Sequence, residues 1–144
     1  IPLDQWLPIL SAAEADFFSL QYTPNAARVV CELEEKTGFH VRHYPGLVQC
    51  DDYDVTAQFV SSLDLVITVP TTVWHLAGAL GVPVWLMSPS LPPWTCGHGA
   101  GLWYGQTQRT YRQGDKEPWA AVIKRVGGEL ADYGRIPRTE SEAA

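Results

Sequence analysis

The sequence predicts an α/β fold, with a doubly wound parallel sheet. Three observations carry this. Short apolar, β-branched runs stand at 65–69 and 83–87, and suit strands covered on both faces. Segments of helical period separate such runs. Turn residues, chiefly Gly and Pro, punctuate the boundaries.

In chain order, residues 3–10 read as a short helix carrying Trp6, Leu7 and Leu10. Phe17-Phe18-Ser19-Leu20 gives a strand within 16–21. A helix starts near Pro24 or Asn25, since Pro suits a first turn. Ala26, Val29, Val30 and Leu33 form its apolar face, and Gly38 closes it. Residues 39–44 make the next strand and 46–51 a loop. Asp52 or Asp54 caps a helix reaching about residue 63. The strand at 65–69 stops at Pro70, which has no N–H for a ladder. Thr71 or Thr72 caps the following helix. Val73, Leu76, Ala77 and Leu80 share one face at i, i+3, i+4 and i+7. Gly81 ends that helix, and 83–87 is the next strand. Residues 88–105 form a long loop rich in Pro, Gly and Trp, a length usually tied to function. A last strand spans 107–112. A last helix spans 117–132, with Trp119, Val122, Ile123, Val126 and Leu130 on its core face. The domain is expected over 1–133, with 134–144 a disordered tail. Internal repeats are absent.

The 144 residues suffice for one domain with a core. Hydrophobic residues make up 46% and charged residues 18%, as in soluble globular proteins. A net charge of −6 argues against nucleic acid as a partner. No charged residue lies between Asp64 and Arg109. Turns break that stretch repeatedly, so no apolar run approaches the roughly 20 residues a membrane span needs. A buried sheet centre beside an uncharged cleft explains it. Cys31, Cys50 and Cys96 are an odd set without framework spacing, which predicts free thiols and a cytoplasmic location. No signal peptide is visible. Ile1 is not an initiator Met, so the chain reads as a piece of a longer protein.

In such sheets ligands bind beyond the carboxyl ends of the strands. That gathers Gln21, residues 44–49, residues 70–72 and Ser88-Pro89 around one cleft. The turn at Pro70-Thr71-Thr72 offers hydroxyls and backbone N–H groups at a helix N-terminus, a setting suited to phosphate. His75 follows Thr71 by four residues and Thr72 by three, so it faces the same side of the first turn. Asp51, Asp52 and Asp54 resemble a metal or phosphoryl cluster in type, but helix capping is the favoured reading. Cys96-Gly97-His98 lacks a second ligand pair, so no metal site is expected. Trp94, Trp103 and Tyr104 either stack on a sugar or form the loop's own small core. There is no Gly-x-Ser-x-Gly, and no Gly-x-Gly-x-x-Gly follows a strand.

Pro70-Thr71-Thr72-Val73-Trp74-His75-Leu76-Ala77-Gly78-Ala79-Leu80-Gly81-Val82-Pro83-Val84-Trp85 resembles a family motif. The family is the GT-B glycosyltransferases, in the heptosyltransferase-like form of bacterial tetratricopeptide-repeat proteins. Their pattern is Asp-Thr-Gly/Ala-x-x-His-Leu-Ala/Gly-Ala-Leu-Gly-x-Pro-Val-Trp after a strand. Thr71-Thr72 is also similar to the double threonine of O-GlcNAc transferases. Ile1 to Trp6, Ser19 to Tyr22, Asp51 to Asp54 and Trp103-Tyr104 extend the likeness. The resemblance implies a Rossmann-like C-terminal, donor-binding domain lacking its first strand. It implies a nucleotide-sugar substrate and no separate cofactor. Thr71, Thr72, Val73 and His75 would hold the diphosphate. Gln21, Leu47, Val48, Gln49 and Ser88 would hold the nucleoside. The general base is expected in an N-terminal acceptor or repeat domain, so no catalytic residue is assigned here, and the chain alone is not expected to transfer sugar. The open sheet position predicts pairing at an exposed strand edge, either as a homodimer or in aggregation. Pro70 replaces the family's Asp and removes a carboxylate near the sugar. The alternative is therefore a non-catalytic nucleotide-binding or interaction module.

Overall fold

A computed structural model of the protein describes residues 1–48, 52–93, 104 and 107–133. The core is a three-stranded sheet of β1 (Val66–Thr68), β2 (Val84–Ser88) and β3 (Gln108–Arg112). The order is β1-β2-β3 and both pairings are parallel, as expected. Val66 faces Val84, and Val84 faces Gln108.

β2 shows why helices cover both faces. All five of its residues are buried. Strand side chains alternate, so Val84 and Leu86 point one way and Trp85 and Met87 the other. Val84 and Leu86 pack with Val60 of α3 (Tyr53–Ser61) and with Val73, Trp74 and Ala77 of α4 (Thr72–Ala79). Trp85 and Met87 pack with Ile9 of α1 (Leu7–Leu10) and with Val122, Ile123 and Val126 of α5 (Trp119–Tyr133). Burying one such side chain stabilises the fold by roughly 1.5–3 kcal/mol. α2 (Ala26–Thr37) joins through a smaller cluster of Leu10, Val30, Leu33 and Val41. Among the described residues, no helix is long and apolar enough to cross a membrane.

Local chemistry accounts for the helix ends. Gly38 takes φ 73° and donates its N–H to Glu34 O at 2.8 Å, a left-handed stop that favours glycine. Asp52, rather than Asp54, caps α3 by accepting from Val55 N–H at 3.3 Å. The first expected helix divides into a 3-10 turn, Leu3–Trp6, and α1. Pro45–Leu47 is a 3-10 turn inside the expected loop. The tail at 134–144 lies outside the described residues.

Two expected strands shrink to one bridge. Phe18 pairs in parallel with Arg42, through Ser19 N–H to Arg42 O and Arg42 N–H to Phe17 O, both 2.8 Å. A longer ladder would take Gln21 N–H and Ser19 O next. Gln21 N–H instead donates to Ser19 Oγ at 3.4 Å, and His43 Nδ1 lies 3.3 Å from Ser19 O. Local side-chain bonds thus take over the groups the ladder needs.

The apolar face of α4 also differs from expectation. Trp74 is 1% exposed, while Leu80 is 41% exposed. The helix turns its Val73, Trp74 and Ala77 edge to the sheet.

Candidate functional site

β1 ends at Thr68, and the chain passes Val69 and Pro70 into α4. Thr71 is the N-cap residue, with extended backbone (φ −143°, ψ 175°). Its hydroxyl makes no cap bond, contrary to expectation. It lies 3.4 Å from Thr68 Oγ1 instead. Trp74 N–H donates to Thr71 O at 3.2 Å. The N–H groups of Thr72 and Val73 have no partner among the described residues. Such orphan donors are what a helix N-terminus offers an anion.

Pro70, Thr71, Thr72, Trp74, His75 and Pro93 line an open pocket of ≈ 320 Å³ here. Both threonines and His75 therefore meet at one place, beyond the carboxyl end of β1. The Val73 side chain is buried in the core, leaving its N–H as the group that could reach a ligand. Among the described residues, no Lys or Arg lines the pocket.

The pocket floor rests on a chain of polar and aromatic contacts. His75 Nδ1 lies 2.8 Å from Tyr104 Oη. Burial pushes the Tyr104 phenol pKa up, so it remains a neutral hydroxyl at physiological pH. The Tyr104 ring stands edge-on to Trp74, with centroids 6.1 Å apart. Trp74 Nε1 donates to buried Gln108 Oε1 at 2.9 Å, and Gln108 Nε2 donates to Thr110 Oγ1 at 3.0 Å. β3 thereby anchors the second residue of α4's buried edge. Tyr104 packs on α4.

Gly78 is what lets Tyr104 lie so close. A Cβ there would come within 2.4 Å of the Tyr104 ring. Gly78→Ala should cost about 1 kcal/mol, as overpacking of 1–3 kcal/mol outweighs a helix-propensity gain of about 1 kcal/mol. In a Tyr104→Ala background the same change should instead stabilise. Urea denaturation of the four proteins checks this, and an unchanged sign would refute the contact.

The residues expected at a nucleoside are scattered by comparison. Gln21, Leu47, Val48 and Ser88 do not line this pocket. Ser88 is fully buried, and its hydroxyl bonds Pro89 O at 3.3 Å. Val48 is buried, while Leu47 is 36% exposed. Gln49, Asp51, Trp94, Cys96, His98 and Trp103 lie outside the described residues. Among the described residues, no three His, Cys, Asp or Glu side chains group as metal ligands. The exposed Cys31 thiol has its pKa pushed up, mainly by the Glu35 charge, so it is not an activated nucleophile.

Sequence reasoning missed two supports behind the pocket's lining residues, the bond from Trp74 to Gln108 and the bond from Tyr104 to His75. Gln108 had a signal, since a Gln opening a strand of a buried sheet needs a partner. The Tyr104 bond joins residues far apart in sequence and had none.

Fold and pocket define an α/β domain whose parallel sheet presents a hydroxyl-lined helix N-terminus at its carboxyl edge. Over 133 residues, 92% of the chain, the sequence is 26% identical to Protein FlbA of Caulobacter vibrioides. The match spans 22% of that protein's length, so the chain corresponds to about a fifth of it. No family model matches the chain, and no solved structure matches it.

Proposed function

We propose that this domain binds the diphosphate of a nucleotide sugar and is the donor-binding part of a bacterial glycosyltransferase of GT-B type. The observation that carries the reading is the meeting of Thr71, Thr72 and His75 in one pocket with two N–H groups that have no partner among the described residues. The motif they belong to resembles that family's donor site. Such a site would stabilise the departing nucleoside diphosphate by aimed donors. The acceptor and its general base would come from an acceptor or repeat domain of the same protein, in the cytoplasm. A second copy of the domain could pair at an open strand edge.

One observation favours a second reading, a non-catalytic nucleotide-binding module. Pro70 lines the pocket where the family carries Asp. Proline supplies neither a carboxylate nor an N–H. Sugar transfer by the longer protein would decide between the two readings.

Thr71→Ala/Thr72→Ala should weaken nucleoside diphosphate binding by about tenfold or more, since each donor to a charged acceptor contributes about 1.5–3 kcal/mol. Thr71 makes no cap bond, so its loss should leave the helix in place. Calorimetry reads the binding, and circular dichroism reads the fold. A folded double variant that binds UDP, GDP or ADP as well as the parent would place the site elsewhere.

A further inference from the structure

Among the described residues, His75 is the sole ionisable side chain lining the pocket. A nucleotide sugar brings negative charge on both phosphoryl groups. Against it the helix N-terminus offers about half a positive charge, and residues 65–108 contain no Lys or Arg. Among the described residues, protonation of His75 is therefore the one change that puts a whole positive charge at the pocket wall.

The ring is held in a way that suits both protonation states. A phenol hydroxyl can donate to a neutral imidazole and can accept from an imidazolium. The 2.8 Å contact between Tyr104 Oη and His75 Nδ1 thus survives protonation. Nε2 has no partner among the described residues, so it remains for a ligand. Among the described residues, Tyr104 is the one titratable group in contact with His75. Of the elements packed on α4, β1 and β2 carry no ionisable side chain. α3 carries Tyr53 and Asp54 in its first turn, and neither lines the pocket. α4 has no other ionisable residue.

We infer that nucleotide-sugar binding at this pocket is coupled to proton uptake by His75, with Tyr104 Oη serving as the acceptor for Nδ1–H of the imidazolium. The inference rests on the donor-site reading above. Bound phosphate favours the charged ring, so binding and protonation reinforce each other. Affinity then rises as pH falls through the range in which histidines take up a proton. An opposite charge within about 4–6 Å raises a histidine by 1 unit or more. Coupling of that size tightens binding about fivefold or more between pH 8 and pH 6.

The test uses the whole chain and UDP-glucose, GDP-mannose and ADP-glucose. Their diphosphates are esterified at both ends and do not titrate in this range. Calorimetry at pH 6, 7 and 8 compares the parent with His75→Gln and Tyr104→Phe. The parent should tighten about fivefold on acidification and take up protons on binding. His75→Gln, which keeps a neutral donor, should change less than about twofold and take up none. Tyr104→Phe keeps the ring on Gly78 and should show a smaller pH effect than the parent. Equal pH dependence in parent and His75→Gln overturns the coupling. Equal pH dependence in parent and Tyr104→Phe overturns the role given to the phenol. Binding that ignores pH but is lost in Thr71→Ala/Thr72→Ala overturns the coupling and leaves the donor site standing. Binding of no nucleotide sugar at any pH overturns both.

Discussion

Gly127→Ala should destabilise the domain by about 2 kcal/mol, whereas Gly128→Ala beside it should stabilise by up to about 1 kcal/mol. Both glycines lie in α5, and Ala is the better helix former by about 1 kcal/mol. The difference is what each Cβ would meet. At Gly127 it would stand 2.4 Å from Pro8 O and 3.0 Å from Pro8 C. Those are backbone atoms of α1, which cannot swing aside as a side chain tip does. α1 would have to lift from α5, loosening Ile9, which is 1% exposed. At Gly128 nothing lies within 4 Å. Urea midpoints for the two variants should move in opposite directions. Shifts of the same sign would mean that α1 does not pack on α5 in this way.

Trp74→Phe should cost about 3 kcal/mol. Part is the volume lost from a site that is 1% exposed. The rest is polar. The substitution removes the N–H that serves Gln108 Oε1, and an orphaned buried acceptor costs about 1–3 kcal/mol. The two parts can be separated. Replacing both partners, in Trp74→Phe/Gln108→Leu, removes the orphan and should recover part of the loss. Contacting pairs show coupling of about 0.5–3 kcal/mol in double-mutant cycles. Strict additivity in denaturation experiments would mean that the bond contributes nothing.

The fold was legible where local chemistry decides it. Apolar strands at 65–69 and 83–87, the glycine stop at Gly38 and the α5 stripe from Val122 to Leu130 all fall as read. The strands near Phe18 and Arg42 were over-read. Strand character there depends on pairing, and Ser19 and His43 divert the groups that pairing needs. Helical spacing placed Leu80 inside and passed over Trp74, because period alone leaves the facing edge open by a turn of about one residue. The pocket's wall of Thr71, Thr72 and His75 could be read because all three lie within five consecutive residues. Its floor could not. Trp74 meets Gln108 across 34 residues, and His75 meets Tyr104 across 29.

The parallel pairing of β2 with both neighbours has a consequence in time. Parallel neighbours need long crossovers, and chain closure must be completed before such contacts reward it. The crossover from β1 through α4 to β2 is helical and local, so it can organise early. β3 then arrives across the long segment that follows β2, bringing Gln108 to Trp74. Until it docks, Val84, Trp85, Leu86 and Met87 present a bare, apolar strand edge to other chains. An edge left bare in this way invites pairing with other chains, and the docking of β3 that covers it also sets Gln108 against Trp74.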